Sequence, residues 1–176
     1  MKTFVYIGTS LDGFIAERDG NLDWLEKFAN QEVTRGYGEF IKNIDAIVIG
    51  RGTYEKVLTF PSWPYEKAVF VLSSTLKSLP DSLRGKATIV SMQPRPLLQF
   101  LAKEGFSNIY VDGGKVIQAF LRDDCIDEMI ISKVPVLLGR GIPLFGFLDK
   151  PLQFDHLHTE TFSNGLVKGH YRRIRI

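Results

Sequence analysis

The sequence predicts an α/β fold built on a largely parallel sheet with an antiparallel edge. Three observations carry that expectation. Short β-branched runs alternate with helix-like spacing over most of the chain, several of those runs end in glycine- or hydroxyl-rich turns, and the last stretch holds strands alone.

The clearest unit is residues 108–121, NIYVDGGKVIQAFL. Ile109, Tyr110 and Val111 read as a buried strand, Gly113 and Gly114 interrupt it, and Val116, Ile117, Phe120 and Leu121 follow at helical spacing. A strand that ends in paired glycines and opens a helix suits an anion. The first N–H groups of the helix lack partners, the helix dipole favours negative charge, and glycine allows close backbone approach.

From the start of the chain, residues 3–8 (TFVYIG) form a first strand, and Ser10 to Gly13 a tight turn at the Asp12, Gly13 pair. Phe14, Ile15 and Ala16 run on to a second turn at Asp19 and Gly20, so this segment is a connector or a flap over a site. A short helix holds Leu22 to Leu25 and Phe28, and a second covers residues 31–43, with Gly36 and Gly38 weakening its start. Trp24, Phe28, Tyr37 and Phe40 suit core packing more than a flat-ligand pocket.

Residues 45–50 (DAIVIG) form another buried strand and lead straight into Arg51, Gly52, Thr53 and a helix. Arginine adds a guanidinium able to grip phosphate oxygens in bidentate fashion, and threonine a hydroxyl donor. Residues 67–72 form a strand ending in Ser73, Ser74 and Thr75, which either meet a phosphate or close a hydroxyl turn. Residues 88–91 are a strand, and 96–104 a helix closed by Gly105. Residues 126–138 read as one long strand whose Pro135 predicts an edge or a bulge, and 139–143 as a flexible loop. The final strands, 152–162 and 166–176, are joined by the hairpin signal Asn164, Gly165.

In such sheets a ligand sits at the carboxyl ends of the strands. Three of those ends carry Gly-Arg-Gly-Thr, Ser-Ser-Thr and Asp-Gly-Gly-Lys, which together predict a nucleotide lying across the sheet edge.

Composition narrows the classes. The 176 residues fit one domain (1–176), and 44% hydrophobic residues can fill its core. A net charge of +2 with scattered Lys and Arg argues against nucleic acid. The single cysteine, Cys125, excludes an internal disulfide, and an inert thiol in a reducing cytoplasm is expected. No apolar run reaches the ~20 residues of a membrane span, and the first residues do not read as a signal peptide. His156 and His158 share a strand face but lack a third ligand nearby in sequence, and His170 is isolated, so no metal is expected. The dinucleotide G-x-G-x-x-G, the NTPase G-x-x-x-x-G-K-[ST] and the nucleophile elbow are all absent.

The ordered motifs SLDGFIA, IGRGTYE, VLSS, YVDGGKVIQAFL and PVLLGRGIPLF resemble, over essentially the whole chain, the dihydrofolate-reductase-like family. The nearest resemblance is to the reductase (C-terminal) domain of the bacterial bifunctional riboflavin biosynthesis deaminase-reductase. It implies a three-layer α/β/α domain with an eight-stranded central sheet, an NADPH-dependent oxidoreductase, and a homodimer. By the same resemblance Gly50, Arg51 and Thr53 meet cofactor phosphates, Ser73 and Ser74 lie by the adenosine 2′-phosphate, and Gly113, Gly114 and Lys115 cradle the pyrophosphate. Ala16 contacts the nicotinamide amide through its backbone, and the peptide bond between Gly113 and Gly114 is cis.

Two departures stand out. Asp112 stands where riboflavin reductases usually carry Glu as a substrate contact, and the zinc deaminase half with its H-x-E and P-C-x-x-C is missing. Of the acids expected in a folate site, Glu32 and Glu39 fall in the right region but in no recognisable folate motif. The activity expected is that of 5-amino-6-(5-phosphoribosylamino)uracil reductase, with Asp12 and Asp112 as the candidate catalytic, substrate-contacting groups. A dihydrofolate or other small-molecule reductase is the second reading, and a non-catalytic nucleotide-binding module the third.

Overall fold

The computed structural model describes residues 1–175, and their core is set by which residues of each strand face which helices. The chain runs through β1 (Lys2–Thr9), β2 (Phe14–Ala16), α1 (Asp23–Glu26), α2 (Gln31–Lys42), β3 (Ala46–Gly50), α3 (Arg51–Val57) and β4 (Ala68–Leu72). It continues through a short 3-10 turn, then β5 (Ala87–Val90), α4 (Pro94–Lys103), β6 (Asn108–Asp112), α5 (Gly114–Arg122), β7 (Glu128–Lys133), β8 (Ile142–Pro143), β9 (Phe154–Thr161) and β10 (Val167–Arg173). Eight strands form one sheet in the order β5-β4-β3-β6-β1-β7-β10-β9, and β2 pairs with β8 in a small second sheet. The strands from β5 to β7 pair in parallel, while β10 runs antiparallel to both β7 and β9.

Strand β3 shows why the sheet is buried on both faces. Ala46 and Val48 turn to one side with Val5, Ile109 and Val111, against Leu97 and Leu101 of α4 and Ile117 and Phe120 of α5. Ile47 and Ile49 turn to the other, with Tyr110, against Tyr37, Phe40 and Ile41 of α2 and Tyr54 of α3. Alternation by two along each strand therefore sorts side chains between two helical layers, and both faces read as apolar in sequence. Each fully buried isoleucine of this kind stabilises the fold by about 1.5–3 kcal/mol. A satellite cluster of Trp24, Val134, Phe162 and Leu166 seals the far end, so Trp24 is a packing residue.

The structure differs from expectation at four places. The strand expected over 126–138 is only β7; the chain leaves the sheet at Val134, whose N–H still reaches Thr9 O at 2.9 Å. Pro135 follows the strand, and β7 lies between β1 and β10, so this proline marks neither an edge nor a bulge. The loop expected at 139–143 contributes β8, which pairs Ile142 with Ala16 and Pro143 with Phe14. The peptide bond between Gly113 and Gly114 is trans, not cis as expected, and the turn is made instead by Gly113 at φ +94° and ψ +133°. The hairpin at Asn164 and Gly165 forms as expected, Gly165 taking φ +84°; the last residue of the strand expected over 166–176, Ile176, lies outside the described residues.

Candidate functional site

The parallel strands deliver their carboxyl ends to one side of the sheet, and a cleft of about 1130 Å³ runs along them. At its centre two strand-to-helix turns interlock. Gly50 ends β3 and caps α3, and a Cβ there would lie 2.9 Å from Val116 Cγ2 of α5. Gly113 ends β6 and caps α5, and a Cβ there would overlap the Thr53 hydroxyl of α3. The left-handed φ of Gly113 excludes most side chains independently. Beside it, a Cβ on Gly114 would lie 3.0 Å from Pro143 O and 3.2 Å from Ile15 Cδ1, so the flap of β2 and β8 closes directly on the turn. The backbone can thus be approached only because these positions are glycine. Ile117 N–H donates to Gly113 O at 2.9 Å, which leaves the earlier amides of α5 as the unpaired first turn of a helix.

All the residues expected to hold a cofactor line this one cleft: Ala16 from the flap, Gly50, Arg51 and Thr53 from the β3 turn, Ser73 and Ser74 after β4, and Gly113, Gly114 and Lys115 from the β6 turn. Arg51 is partly engaged. Its Nε donates to Glu55 Oε1 at 2.6 Å and its Nη1 to Thr75 Oγ1 at 3.0 Å, while Nη2 makes no hydrogen bond among the described residues. Glu55, one helical turn on, aims the guanidinium toward the end of β4. The Ser73 hydroxyl accepts from the N–H groups of Thr75 at 3.2 Å and Leu76 at 3.0 Å, which makes it the organiser of its own turn. Ser74 makes no such bond among the described residues. The pieces that fit a dinucleotide are therefore a glycine cradle, unpaired helix amides and a pre-aimed guanidinium, spread over neighbouring strand ends.

Asp112 lines the same cleft, on the face of the sheet that carries Tyr110 two residues earlier. Its Oδ1 accepts from Gly113 N–H at 2.8 Å. Burial pushes this carboxyl up to about 6, and the Gly113 amide offsets part of that rise. Asp12 is placed elsewhere. Its carboxylate accepts from Ser10 Oγ at 2.6 Å, Gly139 N–H at 2.7 Å and Leu138 N–H at 3.2 Å, and it does not line the cleft. Those bonds hold its carboxyl below the usual range, the Ser10 hydroxyl most of all. The expectation that Asp12 meets substrate is thus corrected: a carboxylate in a turn is spent on the amides of the neighbouring loop. Glu39 is likewise bound to Lys42 at 2.7 Å on an exposed face of α2, and Glu32 is exposed.

Sequence reasoning missed the aromatic wall of the cleft, Tyr6, Tyr65 and Tyr110, and the Ser91 to Gln93 segment after β5. The spacing of Tyr110 and Asp112 on one strand was the signal for the first. His156 spends its Nε2 on Thr159 Oγ1 at 2.6 Å, and among the described residues no three His, Cys, Asp or Glu side chains are grouped to hold a metal. Among them also, no helix is long and apolar enough to cross a membrane.

The sequence profile of the RibD C-terminal domain matches residues 2–168. The chain belongs to that family. The uncharacterized protein YwjB of Bacillus subtilis (strain 168) is 40% identical to the chain over 177 residues, covering 98% of each chain. A crystal structure from Shewanella sp. PV-4, of a protein provisionally assigned to riboflavin biosynthesis, is 41% identical, covers 99% of this chain and 100% of that one, and superposes with a TM-score of 0.94. The Thermotoga maritima diaminohydroxyphosphoribosylaminopyrimidine deaminase/5-amino-6-(5-phosphoribosylamino)uracil reductase shares the fold at 17% identity, with a TM-score of 0.77 over 98% of this chain and 56% of that one. The RibD C-terminal family is reductase-like, and the chain is accordingly an oxidoreductase in general type.

Proposed function

We propose that the chain is an NADPH-dependent reductase whose reaction resembles that of 5-amino-6-(5-phosphoribosylamino)uracil reductase, working as a cytoplasmic homodimer. The observation that carries this reading is the convergence of the β3, β4 and β6 ends, with the flap, on one cleft that also holds the half-buried Asp112 carboxyl. When bound, NADPH supplies the hydride. The chain's own residues supply position and electrostatics. Gly113 and Gly114 let a pyrophosphate approach the α5 amides, with Lys115 at its side. Arg51, held by Glu55, offers Nη2 to a 2′-phosphate with Ser74 beside it. Ala16 belongs to a flap strand and keeps a backbone group against the cleft, while the flap excludes water from the reacting end. Asp112 faces the substrate and accepts from its polar edge.

The decisive test compares cofactors. Hydrogen bonds to a charged group are worth about 1.5–3 kcal/mol, and ~1.4 kcal/mol is tenfold in affinity. Arg51→Ala is therefore expected to weaken NADPH by roughly ten- to a hundredfold and NADH far less, in fluorescence titration of both proteins. Equal losses for the two cofactors would remove Arg51 from the 2′-phosphate. Cofactor binding without turnover on any carbonyl or imine substrate would favour a nucleotide-binding module instead.

A further inference from the structure

Two stretches far apart in sequence are zipped together where the flap leaves the sheet. Val134 N–H donates to Thr9 O at 2.9 Å, Leu11 N–H to Val136 O at 2.7 Å, and Leu144 N–H to Gly13 O at 3.0 Å. Asp12 sits where they join. Its Oδ1 accepts from Ser10 Oγ at 2.6 Å and Leu138 N–H at 3.2 Å, and its Oδ2 from Gly139 N–H at 2.7 Å. Among the described residues, those two loop amides donate to nothing else. Ser10 is fully buried, and its Oγ accepts in turn from Phe14 N–H at 2.9 Å. One carboxylate thus ties the loop to the residue that opens β2. A carboxylate suits the task, because its two oxygens only accept and three N–H and O–H groups converge on them.

The loop that Asp12 holds bears directly on the cleft. A Cβ on Gly141 would overlap Ala16 O and lie 3.2 Å from Phe14 Cβ, so the loop backbone rests on β2 itself. Ile15, Ala16 and Ile142 line the cleft, and Ile15 and Ile142 also reach the Gly114 turn. From α5, Gln118 Nε2 donates to Pro143 O at 2.9 Å. The flap is therefore fixed at two places. Gln118 holds β8, and Asp12 holds the loop that precedes it. Asp12 does not line the cleft, so it acts there only through the flap.

We propose that Asp12 is a positioning residue: its carboxylate latches the 138–141 loop to the flap and so keeps Ala16 closed over the reacting end of the cleft. The inference rests on the reductase reading and adds to it the residue that closes the flap. Asp12→Asn keeps the shape but leaves one acceptor oxygen and turns an amino group toward a donor, whereas Asp12→Ala removes both acceptors. Both variants change an exposed side chain, so urea unfolding is expected to stay cooperative with a midpoint near wild type.

The first measurement needs no ligand. Arg140 is exposed on the loop, and trypsin cleavage after it, mapped by mass spectrometry, reads how often the loop opens. Cleavage is expected to quicken by about five- to tenfold in both variants, the effect of losing one hydrogen bond to a charged group. Asp19→Ala is the control: Asp19 accepts from Asn21 N–H at 2.9 Å within its own turn, and its loss leaves cleavage after Arg140 at the wild-type rate. The second measurement uses NADPH. Its Kd, read from quenching of protein fluorescence, is expected to stay within about threefold of wild type, because the phosphates rest on the β3 and β6 turns. Nicotinamide emission at saturation is expected to fall toward that of free cofactor, because the open flap no longer shields the ring. A wild-type cleavage rate in Asp12→Ala overturns the latch. Wild-type nicotinamide emission at saturation in that variant overturns the positioning role. Failure of the wild type to bind NADPH overturns the reductase reading instead, and the cleavage rates still decide whether Asp12 holds the flap.

Discussion

Asp112 is kept where ionisation is expensive, so its chemistry and its stability effect oppose each other. The unfolded chain holds this carboxyl near its ordinary 3.8, and the fold raises it to about 6. A raised carboxyl contributes stability that is fully present below the unfolded value and is lost as pH climbs through the folded one. Above pH ~6 the native state thus carries a buried charge that the unfolded chain solvates easily. Asp112→Asn removes that charge and is expected to stabilise the protein by about 1–3 kcal/mol at pH 8 and hardly at all at pH 4. Urea unfolding at the two pH values checks it, and a gain that does not depend on pH would sink the account. A residue that stabilises the fold when replaced, yet lines the cleft, is what a functional constraint looks like. The sequence made Asp112 legible through its glycine neighbours, whereas the true occupation of Asp12 was not, since the loop amides it binds come from 126 and 127 positions away.

At the scale of elements, the parallel strands and their glycine turns were readable because β-branched runs and helical spacing are local signals. What escaped were features decided by remote partners. Ile142 and Pro143 form β8 only because Phe14 to Ala16 offers an edge, and β7 stops at Lys133 because the hairpin pairs with it no further than Val167. The interlock of α3 and α5 is of the same kind, since nothing local tells Thr53 that it will rest on Gly113. That contact makes a sharp prediction. Gly113→Ala meets a φ of +94° and a clash with the Thr53 hydroxyl at once, so a loss of about 1–3 kcal/mol in unfolding free energy is expected. Gly52→Ala, whose added Cβ meets nothing within 4 Å, is the control and is expected to change stability by under ~1 kcal/mol. A Gly113→Ala protein as stable as Gly52→Ala would show that the two turns yield freely. The Gly113 substitution should also weaken NADPH, because the cradle and the interlock share the same backbone.

For the whole molecule, the sheet leaves its outer strands β5 and β9 paired on one side only and gathers the carboxyl ends of its parallel strands around a cleft. Strand β9 pairs only with β10, and residues 155–161 along it are exposed, which is an edge that needs cover. A second copy of the chain is the proposed cover, so light scattering at micromolar concentration is expected to report a dimer, and a monomer throughout would reject it. The cleft collects residues from α3, α5, the flap and the ends of β4 and β5, elements that meet only in the folded chain. A dinucleotide lying there binds the native state and has no site on the unfolded one, and mass action then stabilises the fold by about 2.7 kcal/mol at a hundred times Kd. In a domain of this size each kcal/mol shifts Tm by roughly 2–4 °C. Saturating NADPH is therefore expected to raise Tm by about 5–11 °C. NADH at the same concentration should give a smaller rise, because its weaker Kd lowers the ratio that enters the logarithm. Arg51→Ala should erase most of the difference between the two cofactors while keeping the NADH shift. Equal shifts for NADPH and NADH in the wild type would show that the β3 and β4 ends do not read the 2′-phosphate, whatever else the cleft binds.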